Sequence, residues 1–224
     1  MMRWSGSAGP DCAGSIMPDP ELSDLAPLLA VLRDLVAWFK AEKVPGVLIG
    51  GLAASLWGRP RLTRDVDVLV LVDEGRWEEF LAAGAGYGFV PRRDDALAFA
   101  GQTQVLLLGH RESGIDVDVV FGSLPFEKEA VARASWVDLG GVRAPLPLPE
   151  DLIIMKAVAH RPQDLVDIEG MLAAQPKLDR RRVRRWVGEF AAALGDPEIL
   201  SDLETLLSRA RQGKSGRPGG KAGR

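Results

Sequence analysis

Cysteine is nearly absent: the 224 residues hold one, Cys12. A single thiol excludes an internal disulfide framework and suits a reducing compartment. Histidine is almost as scarce. His110 and His160 stand far apart with no metal-ligand spacing between them, so a zinc centre is not expected, and His110, just ahead of a turn, is read as exposed. No apolar run approaches the roughly 18–20 residues that a membrane span needs. The opening segment MMRWSGSAGPDCAGSIM lacks an apolar h-region, so no secretory signal is expected, and a soluble cytoplasmic protein is. No Gly-x-Ser-x-Gly elbow occurs, which leaves serine or cysteine nucleophile chemistry without support. A surplus of positive charge is missing too. The net charge is −3, and setting aside the four cations after Gly213 takes the remainder to −7, a body that repels polyanions except at local basic patches.

What the chain does have is a change of character at Pro149. Residues 1–20 are rich in Gly, Ser, Pro and Asp and are read as a mobile segment. From Glu21 to Glu42, Leu25, Leu28, Leu29, Leu32, Leu35, Val36 and Phe39 recur at helical spacing. GVLIGG reads as a short strand, LAASLWG as a helix closed by Gly58, DVDVLVLV as a strand, and GRWEEFLAAGAGYGF as a helix with its exit. ALAFAGQTQVLLLG and GIDVDVVFG read as two strands joined through HRESG, and SWVDLGGVRAPL as a hairpin turning at Gly140–Gly141. Beyond Pro149, four helical segments follow, separated by Pro and Gly. The expectation is an α/β (α+β) region over 21–148, a helical bundle over 149–211 and a basic disordered tail over 212–224. The Gly213–Ser215 GKS resembles the end of a P-loop, but it follows a helix and the first glycine falls at Ser208.

The chemistry concentrates in two strands. Residues i and i+2 of a strand share a face, so Asp65 and Asp67 point together, opposite Val66, Val68, Val70 and Val72. GIDVDVVFG repeats the arrangement with Asp116 and Asp118 opposite Val117 and Val119. If the two strands are neighbours in one sheet, their carboxylates converge. Such a cluster is tolerable at neutral pH only with raised pKa values or a bound cation. Hard oxygen donors suit Mg²⁺, and two such ions can clamp the oxygens of a phosphoryl or nucleotidyl transfer. The plainer reading is a solvated strand end whose acids pair with Arg61 and Arg64. Gly50 and Gly51, at a strand end directly before a helix, let the backbone approach a ligand and offer N–H groups to an anion.

GGLAASLWGRPRLTRDVDVLV resembles the signature of the DNA polymerase β-type nucleotidyltransferase superfamily, with Gly50, Gly51, Ala53, Gly58, Arg61, Thr63, Asp65 and Asp67 at the matching positions. It is most similar to the AbiEii-type nucleotidyltransferases of toxin–antitoxin systems. VDVVFGSLPFEKEAVARA resembles that group's third-carboxylate strand and following helix, and LPEDLIIMKAVAHRPQDLVDIEGML its helical lysine motif. The resemblance implies a small mixed sheet with flanking helices and two Mg²⁺ ions held by Asp65, Asp67 and Asp118, the last helping to activate the attacking hydroxyl. Gly50, Gly51 and Thr63 would contact the triphosphate, and Lys156 would reach a phosphate as a point charge. Arg61, Asp116, Arg161, Asp164 and Asp167 are accessory positions, with Asp164 and Asp167 read as buttressing Lys156. Outside the resemblance, that lysine is one that snorkels from a core helix.

The implied activity is transfer of a nucleoside monophosphate from a triphosphate to an acceptor hydroxyl on RNA such as tRNA, with a neutralising antitoxin as partner. A small-molecule acceptor of the antibiotic type is the alternative, and a non-catalytic nucleotide- or partner-binding relative a third. In DRRRVRRWVGEF the apolar stripe of Val183, Trp186, Val187 and Phe190 leaves Arg180, Arg181, Arg184 and Arg185 outward, either to meet RNA phosphates or as a solvated face.

Overall fold

The structure, a computed structural model, describes residues 20–61 and 63–215. The expectations for 1–19 and 216–224 lie outside the described residues. Helix α1 (Pro20–Ala41) leads into strand β1 (Gly46–Leu48), helix α2 (Gly50–Trp57) and strand β2 (Asp65–Val70). Helix α3 (Trp77–Ala85), strand β3 (Phe89–Pro91), helix α4 (Ala96–Thr103) and strands β4 (Val105–His110) and β5 (Asp116–Phe121) follow. Helix α5 (Pro125–Ala132) then precedes a hairpin of β6 (Ser135–Leu139) and β7 (Val142–Leu146), and the chain continues through α6 (Pro149–Ala159), α7 (Pro162–Ala174), α8 (Arg180–Leu194) and α9 (Glu198–Ser215). Helix α9 therefore reaches into the segment expected to be a disordered tail. Among the described residues no helix is long and apolar enough to cross a membrane.

Five strands form one mixed sheet in the order β1-β2-β5-β4-β3, in which β2 and β5 run parallel and the other neighbours antiparallel. This is the α+β class that the sequence pattern implies. Val66, Val68 and Val70 of β2 and Val117, Val119 and Phe121 of β5 are buried on the face opposite the aspartates. An aromatic cluster covers that core. Trp38 of α1 stacks on Phe80 at 4.2 Å and on Phe89 at 5.1 Å, and Trp77 stacks on Phe121 at 4.2 Å. The fit is close enough that a Cβ at Gly84 would lie 2.6 Å from the Trp38 ring, so α3 approaches α1 only because that position has no side chain. Leu25, placed in the apolar stripe by its spacing, is exposed, whereas Trp38 is buried.

On the other side, α2 packs on β2 and carries α6 and α7 against it, with α8 and α9 completing the helical layer. The Trp57 indole donates to the Pro147 carbonyl (2.9 Å) and Gln175 donates to the Trp57 carbonyl (3.0 Å), tying the end of α2 to both flanks.

Three expectations need correction. The ALAFAGQTQVLLLG run is not one strand: its first half is α4, with Ala96 and Ala100 buried one turn apart, and Gln104 in the left-handed conformation (φ 59°) breaks helix from strand without glycine or proline. His110 is 2% exposed, because it is the last inward position of β4; its Nδ1 faces Ser113 Oγ (2.9 Å) and its Nε2 faces Asp34 (3.3 Å). The α8 arginines are less outward than the stripe implies: Arg184 forms a two-pronged pair with Glu204 (2.6 and 3.0 Å) and Arg180 donates to the Leu207 carbonyl (3.3 Å).

Arg182, between those arginines, is buried. It donates to Asp151 of α6 (2.7 Å) and to Glu129 of α5 (2.7 Å), and Asp151 is fully buried. Removing one member of such a pair strands the other's charge. Arg182→Met leaves the fully buried Asp151 with only Arg133 at 3.6 Å and is expected to lower the unfolding free energy by about 3–5 kcal/mol, while the joint Asp151→Leu, Arg182→Met change recovers most of that loss. Urea midpoints of the two variants check it.

Candidate active site

The register of β2 against β5 determines the site. Asp65 pairs with Asp116 and Asp67 with Asp118, so the parallel strands place four carboxylates in two rows on one sheet face. Adjacent strands stand about 4.8 Å apart and same-face residues about 6.6 Å apart, so the four Cβ atoms mark a rectangle of those dimensions. Asp65 and Asp116 are exposed at the rim, while Asp67 and Asp118 lie deeper and half-buried.

Crowding acids in this way moves their titration. Asp67 is pushed up to about 6, first by burial and then by the charges of Asp65 and Asp118, against the pull of the Arg161 charge and a hydrogen bond from the Gly51 N–H. Asp118 is raised as well, by burial ahead of the opposing Arg92 charge, with Asp65 and Asp116 adding to the rise.

Arg92 is the residue that sequence reasoning missed. It follows β3, and its N–H bonds the Leu107 carbonyl (3.0 Å); Leu107 in turn sits opposite Asp118. From that row its guanidinium crosses β4 and donates to Asp116 (2.8 Å) and to Asp118. A signal did exist, since an arginine just past an edge strand can reach two strands inward, but it required recognising the three-residue β3.

Gly50 and Gly51 open α2 beside these acids. Gly50 has φ 66°, and a Cβ there would lie 1.8 Å from an Asp67 carboxylate oxygen. A Cβ on Gly51 would meet the side chains of Arg61 and Thr63, each at 2.7 Å. Both glycines are therefore required by the close fit of helix, loop and carboxylate.

The helical motif adjoins this corner through ion pairs. Lys156, 5% exposed, places Nζ at 2.8 Å from both Asp164 and Asp167. Arg61 makes two bonds to Asp167 (3.1 Å each), Gln163 a third (3.2 Å), and Arg161 donates to Asp164 (2.7 Å). Burial alone would raise both carboxyls. At Asp164 the bonds from Arg161 and Lys156 outweigh it, and at Asp167 those from Arg61 and Lys156, so both lie below the ordinary carboxylate range. Arg92 thus joins Asp116 to Asp118; Lys156, Arg61 and Arg161 join through Asp164 and Asp167; and the Arg161 charge acts on Asp67 between the two groups.

Among the described residues no group of three or more His, Cys, Asp or Glu stands in metal-holding range, and Arg92 supplies the counter-charge at Asp116 and Asp118. The donor chemistry nevertheless fits a hard divalent cation: the acids are all oxygen donors on one open face, crowded enough to raise two of them.

The family model described as "Nucleotidyltransferase of unknown function (DUF6036)" matches residues 26–189. Among solved structures, the chain is similar to an antigenic nucleotidyltransferase-like protein from Paracoccidioides brasiliensis (16% identity over 80% of this chain and 93% of that one, TM-score 0.48). It is also similar to the antibiotic-resistance factor ANT(2'')-Ia (15%, 84% and 93%, 0.46) and to the Thermotoga maritima CCA-adding enzyme complexed with tRNA (14%, 84% and 48%, 0.37). No curated protein matches it.

A carboxyl whose folded-state value lies above its unfolded value favours folding where it is protonated, below about 4, and loses that contribution as pH rises through about 6. Asp67→Asn mimics the protonated form. In chelator-containing buffer its gain in melting temperature over wild type is expected to be smallest near pH 4, to widen up to about pH 6 and to level off above it. A gap independent of pH would contradict the raised value.

Proposed function

This chain belongs to the DUF6036 family of nucleotidyltransferases, and from that premise we propose that it moves a nucleoside monophosphate from a nucleoside triphosphate to an acceptor hydroxyl on RNA. The observation that carries the proposal is the in-register pairing of Asp65 and Asp67 with Asp116 and Asp118 beside Gly50–Gly51.

In this reading Asp65, Asp67 and Asp118 hold divalent metal, with Mg²⁺ the ion their oxygens suit. When bound, the metal neutralises phosphate charge and orients the triphosphate. The acceptor oxygen forms a bond to the α-phosphorus as the bond from that phosphorus to the bridging oxygen breaks, releasing pyrophosphate. Asp118 takes up the hydroxyl proton. The start of α2, held against Asp67 by Gly50 and Gly51, offers N–H groups to phosphate oxygens, with Thr63 beside it as a hydroxyl contact in this reading. Lys156 acts through its pairs: it holds Asp164 and Asp167, which hold Arg161 and Arg61 next to Asp67 and Thr63. Catalysis rests on positioning and charge, with no covalent enzyme intermediate.

The finer resemblance to AbiEii-type toxins adds tRNA as the acceptor, growth arrest on expression, a cognate antitoxin and a cytoplasmic setting. One observation favours a second reading with a small acceptor. Beyond the acids on the same sheet face, Leu69 and Val120 join Ile49, Phe126, Met155 and Phe190 around an apolar pocket of about 210 Å³. Adding labelled triphosphates to total cellular RNA and, separately, to a panel of hydroxylated small molecules distinguishes the two.

Asp65→Asn and Asp67→Asn are each expected to cut label transfer at least about a hundredfold with unchanged circular dichroism. Full activity in both would refute the assignment. Arg92→Ala removes the side chain that competes for Asp118 and is expected to tighten Mn²⁺ binding several-fold by calorimetry. An unchanged affinity would mean that Arg92 and metal do not share that carboxylate.

A further inference from the structure

The arginine stripe of α8 is the basic patch most visible in the sequence, yet Arg180 and Arg184 are engaged within the fold and Arg182 is buried. A different patch emerges only in three dimensions. The end of α1, the end of α5 and the β6–β7 hairpin enclose an open groove of about 790 Å³. Its charged lining residues are Lys40, Lys43 and Arg143, and none of the described residues lining it is acidic. Its aromatic residues are Phe39, which is buried, and Trp136, which is 56% exposed. The nearest acids in sequence do not line it: Glu42 lies outside, and Asp138 accepts the Gly141 N–H (2.8 Å) within the hairpin turn.

Two features set this groove apart from an ordinary solvated surface. Lys43 sits at the exit of α1 with φ 54°, a left-handed position where glycine is the low-cost residue. The α1 carbonyl end accounts for lysines nearby. It does not account for Arg143 and an uncovered indole brought to the same groove by another element.

We propose that this groove binds a single-stranded segment of RNA, with phosphates on Lys40, Lys43 and Arg143 and a base stacked on Trp136. The proposal rests on the RNA-acceptor reading above. Cations with no interspersed acid attract a polyanion to a body that is otherwise negative, and the face of an exposed indole accepts any base. The groove starts at Gly46, which pairs with Val70, three residues along β2 from Asp67. That offset is about 10 Å of strand. Gly46 faces Val70 and Phe39 on the valine side of the sheet, so a segment bound here passes the β1 edge to bring an acceptor end to the acids.

The test is fluorescence anisotropy with a labelled single-stranded oligoribonucleotide, titrated over a range of salt concentrations on the full chain. Trp136→Ala is expected to weaken binding about 5- to 150-fold, the range found when one base–aromatic stack is lost. Joint Lys40→Ala, Lys43→Ala and Arg143→Ala is expected to flatten the log-log salt slope by about two, since each phosphate contact on a single strand contributes about 0.7. All four side chains are at the surface, so circular dichroism should remain that of wild type. Asp67→Asn should bind the oligonucleotide as wild type does, so lost transfer with retained binding separates the groove from the chemistry. Absence of binding by wild type at low salt overturns the proposal. So does loss on changing Arg181 and Arg185 but not the groove, or displacement by an acidic peptide with no effect of Trp136→Ala.

Discussion

Four carboxylates on one sheet face repel one another, and the surrounding structure answers that repulsion. Asp65, Asp67, Asp116 and Asp118 are aligned by a parallel register that cannot slip by one residue without turning the buried valines to solvent. The hydrophobic core therefore enforces the crowding. Relief comes from outside the two strands: the Arg92 guanidinium at Asp116 and Asp118, the Arg161 charge near Asp67, and the Gly51 N–H on the Asp67 carboxylate. Even so, Asp67 and Asp118 remain above the ordinary range, which describes a site under electrostatic load and receptive to cationic charge.

A second layer of charge binds the sheet to the helices. Lys156, Arg61 and Arg161 share Asp164 and Asp167 in a network that is largely dry at its centre. Buried ion pairs contribute little net stability compared with well-packed apolar residues of similar size, but breaking one is costly, which favours the arrangement that keeps every charge paired. Here that arrangement holds the loop between α2 and β2 against α7, and so determines where Thr63 and the Gly50–Gly51 helix start lie relative to the acids. The Arg182–Asp151–Glu129 cluster joins α8, α6 and α5 in the same manner.

Much of this was legible residue by residue. The period-2 valines announced β2 and β5, the glycine pair marked the start of α2, and Gly140–Gly141 turned the hairpin as expected. The failures share a cause. The break between α4 and β4 is made by a left-handed Gln104, which has no compositional signature, and β3 is too short to carry a period. His110 is buried because of its strand parity at β4, while its neighbours in sequence are turn residues. Arg92, Arg182 and Trp136 acquire their partners or their exposure from elements distant in the chain.

By itself the sequence determined which residues alternate, where the backbone needs glycine, and that two acid pairs stand on strands with opposed apolar faces, because those properties follow from local sterics and side-chain period. Only the tertiary structure decided that the acid-bearing strands are parallel neighbours in register, that an arginine from the sheet edge reaches across to two of the carboxylates, and that three cations and an indole share a groove. Each of these depends on the order of strands and the packing of helices upon them, a property of the whole chain's hydrophobic burial and not of any one segment.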